Sequence, residues 1–153
     1  MRYLKLNEDW NADPNIPNPE AYTQDNTLYL DFFLNYHIYK GIHRGQKGQL
    51  KFNECYMYRF GSPNDHGFSL KQFRYGPDDI PWGEFYELFE SDWKNDFPDD
   101  KIVLNQDLEE DKELRHFLFF FRDECFECIA KDFNFNYLKA GEINSGNKVY
   151  PKT

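Results

Sequence analysis

The chain has 153 residues, of which 20% are aromatic and 29% charged, and its formal net charge is −9. This length fits a single domain, and the negative charge argues against binding nucleic acid, because phosphate backbones attract cationic surfaces. No uncharged apolar stretch approaches the roughly 20 residues that span a bilayer, so no membrane partner is expected.

Residues 1–27 contain Pro14, Pro17 and Pro19 among asparagines and aspartates, which predicts an irregular N-terminal arm. We expect this arm to be anchored to the domain by Tyr3, Leu4, Leu6 and Trp10. The N-terminus has neither the apolar run nor the small-residue cleavage site of a signal peptide. Together with an odd number of cysteines, three, this indicates reduced thiols and a cytoplasmic location.

Two long stretches alternate in the way that is typical of β-strands. Residues 27–39 place on one face Leu28, Leu30, Phe32, Leu34, Tyr36 and Ile38. Residues 50–60 place on one face Leu50, Phe52, Tyr56, Tyr58 and Phe60. The following residues, 61–67, predict a turn, and residues 68–75 predict a further extended segment.

The residue pattern of the segment 82–93 is compatible with both a helix and a strand. Helical spacing relates Trp82, Phe85, Tyr86, Phe89 and Trp93, whereas alternation relates Glu84, Tyr86, Leu88 and Glu90. The surrounding strands favour a strand here. Residues 101–105 predict a short strand, and a single capped helical turn is predicted after it, with Asp107 accepting from the backbone and Glu110 reaching back.

Residues 115–138 predict the centre of the sheet. Two runs rich in strand-favouring residues, 116–121 and 125–130, flank a short charged break, a pattern typical of a β-hairpin. The first run is apolar on both faces, so we expect both of its faces to be covered. In the second run the apolar side chains change parity between Ala130 and Phe133, which predicts a bulge or bend near Lys131 and Asp132.

These elements predict a mainly β fold. We expect a single domain over residues 1–153, built as an antiparallel β-sandwich or flattened barrel with little helix, and a loose C-terminal tail over residues 139–153.

Cys125 and Cys128 form a Cys-x-x-Cys pair. Redox motifs of this kind place the first thiol at a helix N-terminus, but this pair lies in a predicted strand, where residues three apart face opposite sides. Because the chain has no second such pair, the pattern favours buried structural thiols, and neither a metal nor another cofactor is predicted.

Catalytic motifs of the nucleophile, phosphate-loop and zinc-protease kinds are absent from the sequence. Glu84, Glu87 and Glu124 lie among aromatic residues, where burial could raise a carboxyl pKa toward general-acid use. Whether any carboxylate is catalytic therefore stays open, with the balance against an enzyme.

Charge is segregated along the chain. Residues 78–113 hold 14 acidic residues and three lysines, a sum of −11, whereas the remainder holds 15 basic and 13 acidic residues, a sum of +2. A solvated face is the usual reason for such a run. We predict instead a binding patch whose acidic members are Asp92, Asp96, Asp99, Asp100, Glu109, Glu110 and Asp111, and whose aromatic members are Trp82, Phe89 and Trp93.

Four strand tyrosines, Tyr29, Tyr39, Tyr56 and Tyr58, add rings that we expect at the surface. Tyr and Trp carry much of the binding energy at protein interfaces. The alternative is that these rings line the second face of a two-layer sheet.

Three stretches, residues 6–12, 81–87 and 116–130, resemble small uncharacterised bacterial proteins. The last stretch is also similar to sheet-rich immunity proteins encoded beside polymorphic toxins, in its hairpin pattern and its acidic setting. That resemblance implies a protein that binds and blocks a toxin domain and has no catalytic residues of its own.

The sequence thus predicts an acidic cytoplasmic binding protein of the immunity or inhibitor type, which occludes a basic protein partner. The alternative is a small-molecule or carbohydrate-binding β-barrel with an aromatic-lined pocket, with or without catalysis. A convex acidic face would favour the first hypothesis, and a deep ring-lined pocket with a buried carboxylate would favour the second. Neither hypothesis specifies an oligomeric state.

We expect mass spectrometry of the native, unreduced protein to show no disulfide, and metal analysis to find no stoichiometric zinc, because the cysteines are core thiols. A bridge between Cys125 and Cys128, or one zinc ion per chain, would contradict this assignment.

Overall fold

The computed structural model describes residues 1–61 and 80–138. Eight strands lie in them: β1 (Arg2–Lys5), β2 (Glu20–Gln24), β3 (Thr27–Phe33), β4 (Lys47–Gly61), β5 (Phe85–Phe89), β6 (Ile102–Val103), β7 (Arg115–Phe120) and β8 (Cys125–Tyr137). A short 3-10 helix, Gln106–Leu108, follows β6. None of the helical structure in these residues is long and apolar enough to cross a membrane. The predicted turn after Gly61, the extended segment 68–75 and the tail 139–153 lie outside the described residues.

All eight strands belong to one antiparallel sheet. Seven follow the order β1-β5-β7-β8-β4-β3-β2, and β6 pairs with β4 beside this path. The predicted mainly β, antiparallel fold with little helix is therefore confirmed. Its strands form one open sheet, since β1 and β2 at the two ends do not pair with each other.

The open sheet curls around a core of aromatic rings. Phe32 of β3 contacts Phe119 of β7, with ring centroids 5.2 Å apart, although β8 and β4 lie between the two strands in the sheet. Trp10, from the loop after β1, stacks on Phe135 of β8 at 3.9 Å. These rings pack the concave side, so the curled sheet has the interior of a flattened barrel without closed edges.

The β7–β8 hairpin forms as predicted and is covered on both faces. Phe117 and Phe119 belong to the concave core, whereas Leu118 and Phe120 pack on the convex side with Tyr86 of β5. All four hairpin side chains are at most 2% exposed. Burial on both sides explains why this run is apolar at nearly every position.

The face change predicted near Lys131 and Asp132 occurs in two strands at once. On β8 the side chains that contact the concave core are Phe126, Cys128, Ala130, Phe133 and Phe135. On β4 the same change falls between Phe52 and Cys55, where Glu54 has a positive φ of 49°. Because the side chains of both strands change faces at the same point, the register between the strands does not shift there.

The strand predicted over residues 27–39 ends early, at Phe33. Leu34 still makes an isolated bridge to Ala12, but Ile38 is 67% exposed. The side chain of Asn35 accepts a hydrogen bond from the His37 amide at 2.9 Å, and this local turn competes with continued strand pairing.

Residues 1–27 are only partly irregular, because β1 and β2 are the edge strands of the sheet. Of the expected anchors, Trp10 is buried and Leu6 packs against the same core, but Tyr3 and Leu4 are exposed. Backbone pairing with β5, rather than apolar burial, therefore holds the first strand in place.

The strand favoured for residues 82–93 is confirmed as β5, and the short strand in residues 101–105 is confirmed as β6. The predicted cap of the next turn is wrong. Asn105, not Asp107, is the capping residue, and its side chain accepts a hydrogen bond from the Asp107 amide at 3.2 Å. The turn therefore begins two residues earlier than predicted, at Gln106.

Phe119 provides a test of the aromatic core. Its side chain is fully buried, so Phe119→Ala should lower the free energy of unfolding by about 3–5 kcal/mol. Ile38→Ala, at a residue 67% exposed, is the control and should change it by about 0.5 kcal/mol or less. Urea denaturation measures both, and a loss below about 1 kcal/mol for Phe119→Ala would place that ring outside the core.

Candidate functional site

A cleft of about 240 Å³ opens on the convex side of the sheet, between β4 and the segment 90–114. We term it the acidic cleft. The residues that line it are Tyr56, Met57, Trp93, Lys94, Asn95, Phe97, Asp99, Lys101, Glu109 and Glu110. A small apolar cluster beneath it, which includes Phe97 and Leu108, joins the segment to the sheet.

Tyr56 reaches the acidic cleft because of a bulge in β4 that gives this strand one extra residue relative to β8. Strict alternation predicts Tyr56 on the same face as Tyr58, and that prediction is wrong: Tyr58 belongs to the concave core and Tyr56 to the convex cluster. The bulged residue also presents its carbonyl oxygen to the amides of Leu104 and Asn105, at 2.8 and 3.2 Å. Bulges commonly redirect a side chain in this way.

Trp93 forms the opposite wall of the cleft. Its ring packs against Tyr56 with centroids 6.0 Å apart and planes at 64°. A turn holds it there, in which the carbonyl oxygen of Asp92 accepts from the amides of Asn95 and Asp96, at 3.1 and 2.8 Å. Trp93 is only half-buried, so part of the indole remains open to a ligand.

Exposed carboxylates surround these rings. Asp99, Glu109 and Glu110 line the cleft, and Gln106 donates a hydrogen bond to the Glu109 carboxylate at 2.8 Å. Burial raises the pKa of the Tyr56 hydroxyl above its ordinary value, and the negative charge of Glu109 raises it further. Two lysines also line the cleft, so its three carboxylates exceed its cations by one charge.

The remaining acidic residues of the predicted patch do not line the cleft and have other roles. Asp92 and Asp96 belong to the turn that carries Trp93, and both are exposed. Asp111 forms an ion pair with Lys131 at 3.0 Å. The carboxylate of Asp100 accepts two hydrogen bonds from Arg59 of β4.

Two of the three predicted aromatic members lie elsewhere. Trp82 packs on Phe120 with ring centroids 4.7 Å apart, in the convex cluster near the start of β8. The guanidinium carbon of Arg2, on the edge strand, lies 5.1 Å from the centroid of the Phe89 ring. Only Trp93 joins the carboxylates at the cleft.

The expectation of exposed strand tyrosines is wrong. Tyr29, Tyr56 and Tyr58 are 8%, 8% and 3% exposed, and Tyr39 is half-buried. The alternative, that these rings line the sheet faces, describes them better. Tyr29 stacks on Tyr22 of the neighbouring strand at 5.3 Å.

A chain of polar side chains lies beside the cleft, across β7, β8 and β4, with three buried central members, a half-buried serine at one end and an exposed aspartate at the other. We term this row the buried polar chain: Ser91, His116, Glu127, Arg59 and Asp100. Ser91 Oγ is 2.7 Å from His116 Nδ1, and His116 Nε2 is 3.0 Å from Glu127 Oε2. Arg59 lies 3.9 Å from the other Glu127 oxygen and donates to both Asp100 oxygens, at 2.7 and 3.1 Å.

The buried polar chain fixes both ends of the loop that carries Trp93, since Ser91 begins that loop and Asp100 ends it. Burial by itself lowers the pKa of the Arg59 guanidinium, but its hydrogen bonds to Asp100 and the charge of Glu127 outweigh burial and raise that pKa. Glu90 at the end of β5 has a positive φ of 64°, which is uncommon for a glutamate and reverses the chain at this point.

The buried polar chain was not predicted from the sequence. His116 and Glu127 are 2% and 1% exposed, and each interrupts an otherwise apolar strand. A polar residue inside an apolar strand was therefore the sequence signal from which the buried polar chain could have been predicted. Its hydrogen-bond order resembles a Ser-His-acid triad, but Glu127 also contacts Arg59, and the deeply buried imidazole gives a substrate no direct access.

The three carboxylates considered for acid catalysis have other contacts. Glu84 accepts a hydrogen bond from the side-chain amide of Asn11 at 2.7 Å, and Glu87 forms a bidentate pair with Arg115 at 2.9 and 2.7 Å. For Glu124, burial and then the charge of Asp123 raise the carboxyl pKa. Within residues 1–61 and 80–138, no group of three or more His, Cys, Asp or Glu side chains is placed to hold a metal ion.

The Cys-x-x-Cys residues face opposite sides of β8, as predicted. Cys125 packs in the convex cluster and Cys128 in the concave core. Both are fully buried and unbridged, as is Cys55. Burial raises the pKa of the Cys128 thiol well above its ordinary value, which suppresses the reactive thiolate.

Comparison of this chain with models of protein families, with curated proteins and with solved structures found no match.

Glu127→Gln tests the buried polar chain. Replacing one member of a buried charged pair leaves the other incompletely compensated, so the free energy of unfolding should fall by about 3–5 kcal/mol. Glu8→Gln, at an exposed residue, is the control and should change it by about 0.5 kcal/mol or less. Thermal and urea denaturation measure both. A loss below about 1 kcal/mol for Glu127→Gln would show that the polar chain does not anchor the loop.

Proposed function

We propose that this protein binds a basic protein partner in the cytoplasm through the acidic cleft and its surrounding carboxylates, and that it acts by occlusion, as an immunity or inhibitor protein does. The observation that carries the proposal is the position of the segment 90–114. This segment holds ten acidic residues and three lysines, and buried contacts hold it against the convex side of the sheet with Trp93 half-buried at its centre.

The size of the acidic cleft favours a protein partner over a small ligand at this site. Concave-side rings such as Phe32 and Phe119 are 0% exposed and pack on one another, which leaves no space between them for a ligand. A separate pocket of about 370 Å³, which Tyr58 and Phe60 help to line, does have the size of a small-molecule site. The acidic cleft, at about 240 Å³, is smaller than the roughly 300–1,000 Å³ of typical small-molecule sites. A surface of this kind suits contact with a larger molecule.

Charge and rings would contribute to different steps of binding. Exposed carboxylates such as Glu109 and Glu110 would steer a cationic protein toward the cleft and increase the association rate. Trp93 would contribute contact area once the partner has docked, and would therefore slow dissociation. Occlusion needs no catalytic residue, which agrees with a surface composed of carboxylates and rings.

The test is the association rate with the protein encoded by the neighbouring gene. Four exposed carboxylates are neutralised in the variant Asp96→Asn, Asp99→Asn, Glu109→Gln and Glu110→Gln. We expect association about tenfold slower at low ionic strength. The difference should shrink as salt reduces the screening length from ~10 Å at 0.1 M to ~3 Å at 1 M.

A matched control removes the same number of charges elsewhere on the surface, through Glu8→Gln, Asp9→Asn, Asp25→Asn and Asp123→Asn. It should leave association nearly unchanged if position, rather than net charge, decides the rate. Equal association rates for both quadruple variants and the unmodified protein at low salt would contradict the proposal.

A further inference from the structure

We propose that the acidic cleft receives a single arginine side chain of the partner, with its guanidinium on the open face of Trp93 and directed toward Glu109 and Glu110. This inference rests on the proposed function and specifies the chemistry that the cleft recognises. It depends on the shape and ring composition of the cleft as well as on its charge.

The rings supply two walls. Tyr56 and Trp93 meet at 64° with centroids 6.0 Å apart, so their faces form a corner rather than a closed stack. Tyr56 is 8% exposed and is fixed by the β4 bulge, whereas the half-buried Trp93 still presents part of its indole to solvent. Trp is the ring that attracts a cation most strongly, through the negative potential of its face.

A cation of the chain itself already adopts part of this arrangement. The Lys94 ammonium lies 5.8 Å from the centroid of the Trp93 ring and 4.0 Å from a Glu110 oxygen. The lysine side chain is 54% exposed and that carboxylate 89%, so water weakens both contacts. Lys94 therefore shows that an ammonium is accommodated between the ring and the carboxylate, and that its hold there is weak.

An arginine would make stronger contacts than a lysine at the same position. A planar guanidinium can lie flat on an indole and donate two parallel hydrogen bonds to carboxylate oxygens, whereas an ammonium acts as a point charge. Glu109 is already oriented by the hydrogen bond from Gln106 at 2.8 Å. The cleft volume of about 240 Å³ is sufficient for one side chain inserted from the partner.

The experiment uses N-acetyl-arginine amide as the probe and the full-length protein with ¹⁵N-labelled indoles. The chain has three tryptophans, and Trp93→Phe identifies the Trp93 signal. Titration followed by NMR should shift the Trp93 indole resonance in a saturable way and leave that of Trp82, which packs elsewhere, unchanged. N-acetyl-citrulline amide, a neutral analogue of similar shape, should produce no saturable shift.

Two matched variants locate the cation. Lys94→Gln removes the resident competitor and should tighten arginine binding about threefold more than Lys112→Gln, which removes the same charge nearby without lining the cleft. Glu109→Gln combined with Glu110→Gln should weaken it at least about threefold, because the guanidinium loses its charged acceptors. Equal effects of the two lysine variants would overturn the role assigned to Lys94 and to the Trp93 face.

The outcomes separate this inference from the proposed function. If arginine and citrulline probes shift Trp93 equally, or neither shifts it, insertion of an arginine is wrong, even where neutralising the four carboxylates still slows association with the partner. If the arginine probe binds at Trp93 but the same four replacements leave association unchanged, the cleft recognises guanidinium and the proposed function is wrong.

Discussion

The carboxylate of Glu127 is the constraint on which the site depends. It is 1% exposed in the middle of an apolar strand, and a charge in that environment is costly unless other groups compensate it. His116 and Arg59 do so from the strands on either side of β8. Through them the buried polar chain reaches Ser91 and Asp100, the two ends of the loop that carries Trp93. The contacts of the buried Glu127 carboxylate thus help to fix the position of the exposed loop that carries Trp93.

Curvature of the sheet explains why that surface lies on the convex side. The rings of the concave core meet across strands that are not neighbours, as Phe32 and Phe119 do, and this packing occupies the inner side. The chain between β5 and β7 therefore lies on the outer side, where the pairing of β6 with β4 and the cluster around Phe97 hold it. This connection is also the most acidic part of the described chain. The negative charge is therefore concentrated on the convex side of the sheet.

The acidic cleft combines fixed and weakly held parts. Tyr56 is fixed by backbone hydrogen bonds at the β4 bulge, and Glu109 is oriented by Gln106. Lys94, in contrast, approaches both a ring and a carboxylate while remaining largely in water. A preorganised site whose own cation is easily displaced loses little free energy when an external cation replaces it. This arrangement connects the local geometry to the proposed recognition of a basic protein.

The sequence by itself determined the features that depend on local periodicity: the central hairpin, its burial on both faces, the opposite faces of Cys125 and Cys128, and the face change near Asp132. These are readable because side chains alternate with a period of two along a strand. Only the tertiary structure decided which carboxylates gather around Trp93, that His116 contacts Glu127, and that a bulge turns Tyr56 outward. A bulge depends on the register between two strands, and a buried polar contact depends on residues from different strands. Neither feature produces a periodic pattern in the sequence of a single strand.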